Sequence, residues 1–137
     1  MSLDVYLYSD KKTEMCYHCG EMHRKEYFNL NITHNLNKMA DVAGLYDACW
    51  RPYKFHNDYV ESEYDIQMKF EESNVIYAWQ LIKPIEEGLT KLKSDPEFYK
   101  KLNPSNGWGN YEGLVKFIEE YLEALKDYPN SIVEASR

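Results

Sequence analysis

Cys16, Cys19 and His23, in the string CYHCGEMH, are the residues whose types and spacing point to defined inorganic chemistry. A C-x-x-C-G turn aims two thiolates at one metal ion. Its glycine, here Gly20, takes a backbone conformation that a side chain would strain, which lets amide donors approach the sulfurs. Zn²⁺ suits this soft tetrahedral demand and needs four ligands. Cys16 and Cys19 supply two, and His23, on the returning arm of a hairpin, is the expected third. His34, His18, His56 and Cys49 are the candidates for the fourth. With four protein ligands no coordination position is left for water or substrate, so the expected zinc is structural. Two other uses of the pair compete with this one. One is a polar hairpin tip bearing two reduced thiols. The other is a redox disulfide, which wants its first cysteine at a helix start, and the residues after Cys19 have no helical face.

Two further segments are rich in polar and aromatic groups. In NITHNLNKM, the residues Asn31, Thr33, His34, Asn35 and Asn37 fall where a strand gives way to a helix, and unpaired amides there can hold an anion. His34 is a candidate general base or, alternatively, a partner in a structural hydrogen bond. In NPSNGWGNYEG, residues 103–113, Gly107 and Gly109 flank Trp108, whose ring either stacks on a ligand or plugs the core. A pocket joining His34, Asn35 and Arg51 to Asn106 and Trp108 is the small-molecule reading. Apart from that one reading of His34, the sequence nominates no catalytic residue: it holds no phosphate loop or dinucleotide fingerprint, and no Ser-His-Asp or paired-carboxylate set can be argued from spacing.

The elements that must position these groups follow the order β-β-α-α-α-β. Leu3, Val5 and Leu7 alternate with Asp4, Tyr6 and Tyr8, and Phe28, Leu30 and Ile32 with Asn29, Asn31 and Thr33, which predicts an antiparallel hairpin with a long, decorated tip containing Cys16 to His23, the knuckle hairpin spanning 9–26. Thr33 is a helix N-cap for a short helix that Gly44 ends or bends, and Pro52 stops a second apolar group around Cys49. Residues 53–73 read as a loop with a strand or turn near 66–70. The strongest periodicity is Ala78, Leu81, Ile82, Ile85, Leu89 and Leu92, with Asn74 as cap and a kink or break expected at Pro84. Asp95 and Pro96 start a short helix, and Asn110 or Tyr111 opens the last one, which Pro129 ends. Ile132 and Val133 favour a terminal strand. The expected fold is a single α+β domain, residues 1–137, with a small antiparallel sheet (N-terminal hairpin plus C-terminal strand) covered by three to five helices. The order of the strands is not readable.

Composition narrows the partners. The chain has 137 residues and a formal charge of −7, and its lysines are interrupted by acids such as Asp95 and Glu97, so nucleic acid is a disfavoured partner. No apolar run reaches the ~20 residues of a membrane span, and the first residues do not read as a leader, so no membrane partner and a cytoplasmic location are expected. Three cysteines do not make a secreted disulfide framework. Thirteen tyrosines and three tryptophans supply rings that prefer half-buried positions or interfaces.

The strings ITHNLNKMADVAGLYDACWRP and KLNPSNGWGNYEGLVKFIEEYL resemble a family of small bacteriophage and bacterial proteins of unknown function. The resemblance covers most of the chain from Asn31 to Arg137 and is weakest at the knuckle. It implies no activity, substrate or catalytic residue. The leading functional expectation is a non-enzymatic interaction module that engages a protein partner through its aromatic surface while zinc fixes the hairpin. The alternative is a small-molecule binder or enzyme with its pocket between residues 33–35 and 106–110.

Overall fold

Alternation in the first strand puts Leu3, Val5 and Leu7 on one face of an extended chain, and in the computed structural model all three are fully buried. Residues 2–15, 17–60 and 75–137 are described. β1 (Ser2–Met15) pairs antiparallel with β2 (Met22–Thr33), from Ser2↔Thr33 to Met15↔Met22, with register shifts between Leu7 and Glu14. Its other edge takes β4 (Ile132–Ser136) through the rungs Asp4↔Ser136 to Tyr8↔Ile132. A two-residue strand, β3 (Ile76–Tyr77), joins the far side of β4, so the order of the described sheet is β2-β1-β4-β3. The fold class matches the sequence reading. The N-terminal hairpin of that reading is present, and its ladder pairing runs out to Met15↔Met22.

Helices cover the inward face. After the 3-10 turn at His34–Leu36 come α1 (Asn37–Val42) and α2 (Tyr46–Trp50), then a second 3-10 turn at Pro52–Phe55. α3 (Ala78–Ser94), α4 (Pro96–Lys100) and α5 (Tyr111–Asp127) follow. α3 packs along α5, and α5 also reaches β2, where the Tyr121 ring stacks on Phe28 at 6.3 Å. One core cluster unites the Leu3 face of β1 with Leu81 and Ile85 of α3 and Leu114, Ile118 and Leu125 of α5. Asp95 caps α4 by accepting from the Phe98 N–H at 3.2 Å, with Pro96 at the first helical position, as expected. No helix among the described residues is long and apolar enough to cross a membrane.

One expectation for the middle of the chain, a break at Pro84, needs correction. α3 runs through Pro84 as one helix instead of two. Proline inside a helix costs about 3 kcal/mol, but Leu81 and Ile85 on its two sides are fully buried, and each such burial contributes about 1.5–3 kcal/mol, so packing outweighs the lost bond. The helix is capped at Tyr77, whose N–H donates to Gln80 Oε1 at 2.9 Å. Asn74, the expected cap, and the strand or turn near 66–70 lie outside the described residues. β3 was not foreseen, because two residues carry no periodicity.

Gly88, on the buried face of α3, meets the Leu45 side chain so closely that a β-carbon there overlaps it. Leu45 is fully buried and has nowhere to go. Alanine gains about 1 kcal/mol in helix propensity, whereas overpacking costs about 1–3 kcal/mol, so Gly88→Ala is expected to lower the denaturant midpoint. In a Leu45→Ala background the sign should reverse, and a double-mutant cycle reads the coupling. A second test concerns Tyr121, which is fully buried and whose hydroxyl has no hydrogen-bond partner among the described residues. Burial, with a smaller contribution from Cys49, pushes its phenol well above the ordinary 10.0. The folded state therefore holds this proton longer than the unfolded chain. Its stabilising contribution is complete below pH 10 and is lost progressively above it. Ultraviolet titration should show tyrosinate from Tyr121 only as the protein unfolds; a Tyr121→Phe variant with the same alkaline unfolding profile as the parent would refute this.

Candidate functional site

The end of β2 and the start of β1 lie side by side, since Ser2 pairs with Thr33 and Asp4 with Asn31. Asn31 Nδ2 donates to Asp4 Oδ1 at 2.7 Å and tightens that corner. Thr33 then stops the strand: in extended geometry, its hydroxyl accepts from the Asn35 N–H at 3.3 Å and caps the turn His34–Leu36. The cap foreseen from the sequence is in place.

Facing this corner is the loop between α4 and α5, which asparagines build from within. Asn103 Oδ1 accepts from the Tyr111 N–H at 2.8 Å, Asn106 Oδ1 from the Trp108 N–H at 2.9 Å, and Asn110 Oδ1 from the Gly113 N–H at 2.7 Å. Each short amide side chain satisfies a backbone donor that the turn would otherwise leave unmade. The Tyr111 hydroxyl donates to the Leu92 carbonyl at 2.7 Å and ties the loop's exit to α3. Gly107 and Gly109 have φ of +75° and +95°. At Gly109 a β-carbon would sit 2.8 Å from Thr33 Cγ2 and 3.0 Å from Leu36 Cγ, so this glycine is where the two segments touch.

Between them opens a cleft of about 850 Å³ lined by Ser2, Asn31, Thr33, His34, Asn35, Asn106 and Trp108. The volume lies within the usual ligand-site range of about 300–1,000 Å³. Four of the five residues nominated from the sequence, His34, Asn35, Asn106 and Trp108, share this cleft. Arg51 does not line it: its guanidinium carbon lies 5.8 Å from the centre of the Tyr46 ring, which stacks on Trp50. Ser2 was missed, since nothing marks a serine at a strand start as part of a site. Trp108 is 68% exposed, so it does not plug the core.

His34 is fixed by the core. The indole N–H of Trp50, itself buried, donates to His34 Nδ1 at 2.9 Å. An indole only donates, so Nδ1 must offer its lone pair and the ring proton resides on Nε2. That Nε2 is buried and has no hydrogen-bond partner among the described residues. The structural hydrogen bond weighed for His34 therefore exists, and it leaves the other ring nitrogen as an unused donor in a residue of the cleft wall. Leaving such a group unmade costs about 1–3 kcal/mol.

At the opposite end of β1, Cys19 Sγ lies 3.3 Å from His23 Nε2, both exposed, beside Gly20 at φ +73°. Cys16 lies outside the described residues. Among the described residues no group of three His, Cys, Asp or Glu could hold a metal, so none of the fourth-ligand candidates His18, His34, His56 and Cys49 joins Cys19 and His23. His34 is held by Trp50, His56 Nδ1 accepts from the Asp58 N–H at 3.1 Å, and Cys49 is fully buried, which pushes its thiol up.

No protein-family model, curated protein or solved structure matches the chain.

Because Gly109 is both left-handed and in contact with Thr33, Gly109→Ala is expected to cost about 1–3 kcal/mol and to shift amide resonances on both walls of the cleft. Gly107→Ala has the same φ penalty but no neighbour within 4 Å, so it should leave residues 33–36 undisturbed. Equal perturbation of 33–36 by both variants would contradict the contact described.

Proposed function

We propose that the protein binds a small, uncharged polar molecule in the cleft between residues 33–35 and 106–108. The observation that carries this reading is the convergence of two distant loops on one concavity whose wall joins an exposed indole to neutral hydrogen-bonding side chains. Apart from His34, none of the described lining residues is ionisable. A chain of net charge −7 also repels phosphates and carboxylates at long range, so the lining suits hydroxyls and amides. The flat face of Trp108 offers a platform for a ring. The Nε2–H of His34 is the donor that a ligand's acceptor atom satisfies once the wall over it yields.

The interaction-module expectation gains less support. Trp50, one of the rings it relied on, is only 1% exposed and is engaged by His34 and Tyr46. Exposed rings such as Tyr17, Trp79 and Trp108 remain for a partner, but singly exposed rings are ordinary on protein surfaces.

The test is a titration of the ¹⁵N-labelled protein with neutral monosaccharides, nucleosides and simple amides. The Trp108 indole resonance and the amides of 33–35 and 106–109 should move together and saturably with at least one class, and Trp108→Ala should weaken that response at least tenfold. If all three classes leave these resonances still, or if Trp108→Ala binds as the parent does, the reading fails.

A further inference from the structure

At Asn106 and Gly107 the main chain places a nucleophile beside an electrophile of its own. Asn106 Oδ1 accepts from the Trp108 N–H at 2.9 Å, which makes an Asx turn, where a side-chain amide stands in for a peptide group and folds back over the residue that follows. This brings Asn106 Cγ over the Gly107 nitrogen, because Cγ, Cβ, Cα, the carbonyl carbon and that nitrogen are the consecutive atoms the turn curls together. They are also the ring atoms of a succinimide, so much of the entropy of ring closure is already lost in the folded loop. The Trp108 N–H has a second effect. It polarises the amide carbonyl and faces the oxygen on which negative charge develops when Cγ is attacked.

The surroundings leave this pair open to reaction. Asn106 and Gly107 are both exposed, so hydroxide reaches them. Gly107, at φ +75°, carries no β-carbon to shield its nitrogen, and its N–H makes a long hydrogen bond of 3.3 Å to the Pro104 carbonyl, which water can replace. Of the chain's asparagines only Asn106 precedes a glycine. Two neighbours in the same loop show the contrast. Asn103 precedes Pro104, whose nitrogen has no proton to lose. Asn110 precedes Tyr111, which is buried and whose N–H donates to Asn103 Oδ1 at 2.8 Å.

We infer that Asn106 is a site of spontaneous covalent modification, at which the Gly107 nitrogen closes on the side-chain amide and the residue is converted to aspartate and isoaspartate. Hydroxide takes the Gly107 amide proton, the nitrogen lone pair forms the bond to Cγ, and the Cγ–Nδ2 bond breaks, its nitrogen leaving as ammonia with a proton from water. Solvent water then opens the ring at either carbonyl. The balance is one water in and one ammonia out, with no oxidation. Either product puts a carboxylate into a cleft wall where, apart from His34, none of the described lining residues is ionisable. In isoaspartate the main chain also runs through the β-carbon, so the turn that presents Trp108 is rebuilt.

The test ages the folded full chain at 37 °C and mildly alkaline pH and follows the tryptic peptide 102–116 by mass spectrometry. That peptide should gain about one mass unit at Asn106, with isoaspartate as well as aspartate among the products and a rate that rises with hydroxide concentration. Asn106→Gln should abolish the gain and Gly107→Ala should slow it at least tenfold, while Asn103 and Asn110 of the same peptide stay intact. Three results overturn the inference. The first is a folded protein that keeps Asn106 intact while the urea-unfolded chain converts, since the fold would then protect the site. The second is a Gly107→Ala variant that reacts as fast as the parent. The third is a product containing aspartate alone, which excludes the ring. None of these readouts uses a ligand, so this inference and the proposed binding stand or fall separately.

Discussion

The buried face of β1 is the constraint from which the remaining structure follows. Leu3, Val5 and Leu7 need an apolar ceiling along the whole paired stretch, and each contributes about 1.5–3 kcal/mol only if that ceiling is complete. The long helices α3 and α5 provide it, packed against each other and against the sheet. Because β1 is flanked on both edges, its position fixes where β2 ends and where the chain must leave the sheet at Thr33. Trp50 then docks into the same core, and its indole sets the orientation of His34. Cleft geometry is thus inherited from packing several residues away.

That inheritance explains which parts were legible in the sequence. Elements with a burial period announced themselves: the two-residue alternation of β1, and the three- and four-residue steps of Leu81, Ile85 and Leu92 or Leu114, Ile118 and Leu125. Pro84 misled because proline's penalty is local whereas the burial that offsets it is tertiary. In the cleft, composition flagged both loops, but only the approach of Gly109 to Thr33 makes them one site, and no sequence pattern encodes that contact. Arg51, nominated with the cleft residues, lies elsewhere. Its backbone leaves the helical region, with φ −136° and ψ 57°, and its side chain lies over Tyr46 instead.

The asparagines show the same ambiguity in a smaller compass. Asn106 looks like a ligand-binding group when read as a letter, yet it spends its carbonyl oxygen on a backbone N–H of its own loop, and Asn103 and Asn110 spend theirs on N–H groups in the first turn of α5. This is positioning work. It holds the exposed Trp108 ring on a turn made of internal hydrogen bonds, so the indole can face water without the surrounding chain giving way.

Strand order also bears on how the chain reaches this state. The β1–β2 hairpin closes a turn of a few residues, whereas the Tyr8↔Ile132 rung joins two points separated by nearly the whole chain. Loop-closure entropy makes the second event costlier by roughly 3 kcal/mol. Until β4 docks, that edge of the central strand lacks its partner. A chain with β4 undocked presents an unpaired, aliphatic strand margin, the feature by which partly folded chains recruit one another into aggregates.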